Sequence, residues 1–127
     1  MVDGYYELMV SGNFSSAHSL REYEGNCERV HGHNWKVEVT VACENLDGRG
    51  IAVDFKDLKG LLREVVAFLD HRNLNDIEPF DKTNPSSENI ARHIYSSFKE
   101  GVPEHVSVRK VTVFESDSAC ASYVPRG

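Results

Sequence analysis

The sequence of 127 residues has few of the features that mark secreted, membrane-spanning or nucleic-acid-binding proteins. It holds only three cysteines, Cys27, Cys43 and Cys120, and an odd, irregularly spaced set does not predict a disulfide framework. No apolar run approaches membrane-spanning length, and residues 1–6 lack the apolar core of a leader peptide. The 14 basic residues are outnumbered by 20 acidic ones, which disfavours a duplex-binding surface. We therefore expect a cytoplasmic protein that binds neither membrane nor nucleic acid.

The composition that remains is globular, with 40% hydrophobic and 27% charged residues. This length suits one domain over residues 1–127. A catalytic cavity would take up much of the core of so short a chain, so assembly into an oligomer is expected.

Hydrophobic periodicity predicts two strands, two helices and two further strands. The strands are expected at roughly Tyr5–Ala17, His31–Asn45, Val106–Glu115 and Ala119–Val124, with bulges at Ser11–Asn13 and Arg109–Lys110. The helices are expected from an Asp54 cap to about Asp70, and from about Pro85 to a stop at Gly101, with a loop at 72–85 between them. This order predicts an α+β fold, a four-stranded antiparallel sheet with both helices on one face.

Three histidines are the main chemical signal. His31 and His33 are two residues apart, so on a strand their side chains share a face. His18 ends the preceding strand of the expected hairpin and can fold back beside them. Three imidazoles that leave a fourth position open are typical of catalytic zinc. Three unrelated histidines are the simpler alternative, and Cys27 as a fourth ligand would instead make a closed, structural site.

Several residues nearby are candidates for acid–base chemistry or substrate binding. Cys27 precedes His31 closely, and a neighbouring cation would favour its thiolate and allow it to act as a base. Asp70 next to His71 can orient the imidazole and raise its basicity. Glu115, at a strand end, can accept two parallel hydrogen bonds from a guanidine-like heterocycle edge. Each also has a simpler interpretation: Cys27 as an ordinary loop thiol, Asp70 and His71 as the end of a helix, and Glu115 as a solvated carboxylate.

Taken together, the motifs resemble the 6-pyruvoyl-tetrahydropterin synthase and 6-carboxytetrahydropterin synthase family. The resemblance spans nearly the whole chain, and its pieces occur in the family's order: Phe14–His18, Cys27–His33, Leu69–Asn75, Asn84–Asn89 and Phe114–Glu115. It implies a single tetrahydropterin-synthase-like domain with the tunnelling fold. Sheets of several subunits then close into a barrel, and the typical assembly is a homohexamer, a dimer of trimers, with active sites at the subunit interfaces.

The resemblance also implies roles for individual residues. His18, His31 and His33 would bind Zn²⁺, Cys27 would be the general base, and Asp70 with His71 the partner acid–base pair. Glu115 would anchor the pterin ring, with help from Glu88 and from Ser86 or Ser87. The implied reaction is a carbon–oxygen and carbon–carbon lyase step on 7,8-dihydroneopterin triphosphate. It gives 6-carboxy-5,6,7,8-tetrahydropterin, acetaldehyde and triphosphate, as in the bacterial queuosine pathway.

Glu28 leaves an alternative open. With His31 and His33 it forms a second motif, which resembles family members that use glutamate and make 6-hydroxymethyl-7,8-dihydropterin for folate. A chain with both Cys27 and Glu28 resembles the proposed dual-function type, although Glu28 can also be a plain loop residue. Two other classes remain: a non-catalytic zinc- or pterin-binding module, and a metallohydrolase with Glu28 as its base.

Overall fold

The computed structural model describes residues 3–22 and 29–127. Within these residues, four strands form one sheet in the order β1-β2-β3-β4, and every neighbouring pair is antiparallel. The strands are β1 Tyr6–His18, β2 His31–Cys43, β3 Ser107–Ser116 and β4 Ala119–Tyr123. The predicted four-stranded antiparallel sheet is confirmed.

Two helices of 13 residues each lie between β2 and β3 in the chain: α1 is Phe55–Ala67 and α2 is Ser87–Lys99. Each begins at a predicted cap: the Asp54 side chain accepts a hydrogen bond from the Lys56 amide, and Ser86 accepts one from the Asn89 amide. The expected loop between them contains a short 3-10 helix at Leu74–Asp76. In the part of the chain that the structure describes, no helix is long and apolar enough to cross a membrane.

The core lies between the two helices and one face of the sheet. That face carries the buried positions of the period-2 pattern, and the helices add their own apolar stripes. The buried cluster includes Val10, Phe14, Trp35, Val37, Val39, Val41, Leu58, Leu62, Leu69, Ile90, Ile94, Phe98, Val111 and Val113. Cys43 is buried, whereas Cys120 is exposed. Cys120 lies on the face of the short edge strand β4 that points away from the core.

The bulge expected at Ser11–Asn13 is wrong, since β1 and β2 pair without a break along their whole length. Gly12 serves packing instead: a Cβ there would lie 3.2 Å from the Leu62 side chain, so the missing side chain lets α1 come close to the sheet. The bulge expected at Arg109–Lys110 is confirmed, because Thr40 pairs with Lys110 while its neighbour Val41 pairs with Val108.

The segment after α1 lies along the outer edge of β1. The helix ends at Ala67, earlier than expected, and the chain then turns at His71, whose φ is 55°. The His71 amide donates to the Ser15 carbonyl, and the Ala17 amide donates to the Arg72 carbonyl. This edge of β1 is therefore covered close to its last residue, His18.

Candidate metal centre and acid–base pair

The three predicted histidine ligands meet at one end of the sheet. His18 is the last residue of β1 and His31 the first of β2, and they are directly paired, while His33 pairs with Ser16. Period-2 alternation then puts all three imidazoles on the face that carries the core. Their ring centroids lie 4.7–5.2 Å apart. This geometry agrees with rings that surround one shared centre.

Backbone carbonyls orient two of the three rings. Nδ1 of His18 lies 2.7 Å from the Pro85 carbonyl oxygen, and Nδ1 of His31 lies 2.8 Å from that of Arg29. A carbonyl only accepts, so each Nδ1 carries a proton, and in the neutral imidazole each Nε2 then carries the lone pair. Metal-binding histidines typically have their second nitrogen held in this way. The sequence does not reveal Pro85 in this role, because it lies far from His18 along the chain.

Trp35 forms the wall behind the cluster. It is fully buried, stacks on Phe14 with ring centroids 5.8 Å apart, and donates its indole N–H to the Ser16 carbonyl. Its ring meets those of His18 and His33 edge-on at 4.9 and 5.2 Å. Sequence reasoning missed this residue, although it follows His33 by two positions on the same face. A rigid aromatic wall limits the rotamers open to two of the ligands.

Glu115 joins the histidines. One nitrogen from each histidine and one carboxylate oxygen of Glu115 all lie within 4.8 Å of one another, so the four residues form a group that could hold a metal ion. The Nε2 atom of His18 is buried and has no hydrogen-bond partner among the described residues. A buried ring nitrogen with a lone pair is costly unless something binds it, and a metal ion would do so. The residues present therefore fit the implied ion.

Asp70 and His71 form a second feature, outside this four-residue group. Asp70 Oδ2 lies 2.8 Å from His71 Nδ1, and Asp70 Oδ1 accepts a hydrogen bond of 2.8 Å from the Ser15 amide. The hydrogen bond from the Ser15 amide, which is the larger cause, and the contact with His71, which is the next, hold the pKa of Asp70 below its ordinary value. The His71 side chain is 81% exposed, so it points outward from its own chain.

Of the remaining predicted site residues, three lie at the start of α2 and two lie outside the described residues. Ser86 caps α2 and directly follows Pro85, the partner of His18, which puts the start of α2 beside the cluster. Glu88 lies in the first turn of α2 and is exposed, and Ser87 is half-buried. Cys27 and Glu28 lie outside the described residues.

Two asparagines, which sequence reasoning also missed, fix the chain just after His18. The Asn75 side chain accepts from the Ser19 amide at 2.8 Å and donates to the Ser19 carbonyl at 2.9 Å. Asn84 does the same for Arg21, at 2.8 and 3.1 Å. Each side-chain amide therefore satisfies the backbone N–H and C=O of one residue, as a neighbouring strand would, so the segment that follows His18 has a defined path.

Fold and site together define a small α+β protein with a cluster of three histidines and a glutamate at one end of its sheet that could hold a metal ion. The model of the 6-pyruvoyl tetrahydropterin synthase family matches residues 7–126. The chain therefore belongs to this family, and its fold is the tunnelling fold.

Individual relatives agree with this assignment. A 6-carboxy-5,6,7,8-tetrahydropterin synthase of Bacillus subtilis is 33% identical over 129 residues, covering 95% of this chain and 86% of the relative. A dihydroneopterin monophosphate aldolase of Pyrococcus furiosus is 34% identical over 110 residues, with 87% and 90% covered. The structure of a Caenorhabditis elegans 6-pyruvoyl tetrahydropterin synthase superposes with a TM-score of 0.84 at 25% identity, covering 97% of both chains.

Proposed function

We propose that this chain is a zinc-dependent lyase that converts 7,8-dihydroneopterin triphosphate and water to 6-carboxy-5,6,7,8-tetrahydropterin, with release of acetaldehyde and triphosphate. The observation that carries the proposal is the convergence of His18, His31 and His33 at one end of the sheet, with ring centroids 4.7–5.2 Å apart. The similarity to the Bacillus subtilis synthase supports the choice of product. The product would feed the queuosine pathway.

In this proposal the three histidines hold Zn²⁺, which supplies Lewis acidity to the hydroxyl groups of the substrate side chain. The Pro85 and Arg29 carbonyls keep two of the imidazoles in the tautomer that binds a metal through Nε2. Trp35 excludes water from one side of the cluster. The protein residues thus set the position of the ion before substrate arrives, which lowers the cost of binding in a reactive geometry.

The proton transfers are assigned to Cys27 and to the Asp70–His71 pair. Cys27 takes a proton from the substrate carbon, and His71, oriented by Asp70, exchanges protons from the other side. The 2.8 Å contact between Asp70 Oδ2 and His71 Nδ1 supports the pairing. The high exposure of His71 supports a role at the site of a neighbouring subunit, as a homohexamer built from two trimers would require.

The pterin ring is assigned to Glu115 and the start of α2. A carboxylate can accept two parallel hydrogen bonds from the amino-pyrimidinone edge of the ring. Ser86, Ser87 and Glu88 follow Pro85 directly, and the contact between Pro85 and His18 brings this turn to the same end of the sheet. They are proposed to complete the pocket.

The second candidate is cleavage of the side chain to 6-hydroxymethyl-7,8-dihydropterin for folate, by itself or alongside the first activity. The similarity to the Pyrococcus furiosus aldolase favours it, because that relative is as similar to the chain as the synthase is. Glu28 would be the base for this reaction.

The test is product analysis after incubation of the zinc-loaded protein with dihydroneopterin triphosphate. Acetaldehyde with a carboxypterin supports the first candidate, and a hydroxymethylpterin supports the second. Cys27→Ala is expected to abolish the carboxypterin while the protein keeps its zinc, and Glu28→Ala to remove only the hydroxymethyl product. Cys120→Ala, which changes an exposed cysteine on β4, is the matched control. Full carboxypterin formation by Cys27→Ala would refute the base assignment, and no product from either reaction would favour a non-catalytic binding module.

A further inference from the structure

Glu115 occupies an irregular position in β3. Phe114 pairs with Cys120 and Ser116 pairs with Ala119, so Glu115 is the residue that the β3–β4 register skips. Such a register shift commonly re-aims a side chain beside a functional site. Glu115 also keeps the phase of Val111 and Val113, so it points to the face that carries the core and the histidines.

The distances from this carboxylate match those between ligands of one ion. Glu115 Oε1 lies 2.9 Å from His33 Nε2 and 3.7 Å from His18 Nε2. Two ligand atoms that are each about 2.0–2.1 Å from a tetrahedral zinc ion lie about 3.3 Å apart. The two observed separations fall on either side of that value, so a small movement of the carboxylate would satisfy both.

The same carboxylate is needed at two places during the proposed reaction. The pterin edge requires both oxygens of Glu115 in the plane of the ring, whereas the histidine cluster already has Oε1 directed at its centre. The side chain is 37% exposed, so it has an open side from which a ligand can approach. One carboxylate cannot satisfy both partners in full at the same time.

We propose that Glu115 is a displaceable fourth ligand, which closes the metal centre in the resting protein and leaves it when the pterin edge binds. The step is a ligand exchange: the carboxylate leaves, a substrate oxygen enters, and no oxidation state changes. A heterocycle whose amino-pyrimidinone edge binds Glu115 then opens the fourth coordination position. For a molecule without such an edge, Glu115 continues to occupy that position. Ligation in the resting protein needs no catalysis, while the exchange rests on the proposed function.

The first test compares zinc affinity by chelator competition in the wild type, in Glu115→Gln and in the control Glu64→Gln, an exposed glutamate of α1. Glu115→Gln is expected to weaken zinc binding by at least about tenfold to a hundredfold, the loss that is typical when a residue that only supports a metal ligand is removed. Glu64→Gln should bind as the wild type does. Equal affinities in all three proteins would overturn ligation by Glu115.

The second test follows the exchange on the Co²⁺-loaded protein by visible absorption, with unsubstituted pterin, which has no side chain, as the probe. Pterin should change the wild-type spectrum, and it should leave the Glu115→Gln spectrum unchanged because the ligand is already lost. An unchanged wild-type spectrum at pterin concentrations that bind would overturn the exchange. Glu115→Ala, which also removes the carboxylate, replaces Gln if that variant does not fold. Product analysis is separate, so failure of the lyase proposal and failure of this inference are distinguishable.

Discussion

Replacement of Asn75 by alanine tests whether side-chain amides hold the chain segment that follows His18 in the histidine cluster. The substitution removes both hydrogen bonds to Ser19, the residue that follows His18. Each bond contributes about 0.5–1.5 kcal/mol net, so the loss should be about 1–3 kcal/mol. For 127 residues the unfolding entropy is about 0.27 kcal/mol/K, so the melting temperature should fall by about 4–11 °C.

Asn34→Ala is the matched control for this experiment. It also removes an asparagine hydrogen bond, but the partner is the exposed hydroxyl of Ser15, which can bond to water instead. The control should cost less than about 0.5 kcal/mol. Urea unfolding of metal-free protein at matched concentration measures both, since bound zinc or a change of assembly would shift the apparent stability. Equal losses in the two variants would refute the reasoning that Asn75 fixes this segment.

Two predictions concern pH. The depressed pKa of Asp70 means that its charged form stabilises the fold at neutral pH, and that this contribution is lost as pH falls below about 4 through the lowered value. The stability gap between wild type and Asp70→Asn, measured by urea unfolding, should therefore shrink from pH 7 to pH 3, and a constant gap would contradict it. Burial between Phe68 and Phe80 lowers the pKa of His93, so the wild type should lose stability as pH falls below about 6.5, where the unfolded chain protonates first. When the pH of thermal scans is lowered from 7 to 5, the melting temperature of His93→Phe should fall less than that of the wild type. Equal falls in the two proteins would count against burial of His93 as the cause.

Much of the fold could be predicted because its signals are local. Alternating valines define β2 and β3, and caps at Asp54 and Ser86 mark both helices. The bulge expected near Gly12 was wrong for a physical reason. A glycine in a strand can serve a bulge or a close contact, and only the position of Leu62 decides between them.

The histidine cluster could be predicted because spacing on a strand fixes a shared face. The partners that orient it could not, since Pro85 and Glu115 reach His18 only through the tertiary fold. Nothing in a chain's order indicates that a backbone carbonyl far along it will fix a tautomer, or that the carboxylate of Glu115 will lie 2.9 Å from His33 Nε2.

Ser15 has a further consequence for how neighbouring sites communicate. Its amide and carbonyl hold Asp70 and His71, while three residues later the same strand ends in His18. If each His71 serves an adjoining subunit, as proposed, then β1 carries a histidine of one site at its end and, through Ser15, holds the proton donor of a neighbouring site along its edge. A displacement of β1 would then move both groups together, one in each of two neighbouring sites.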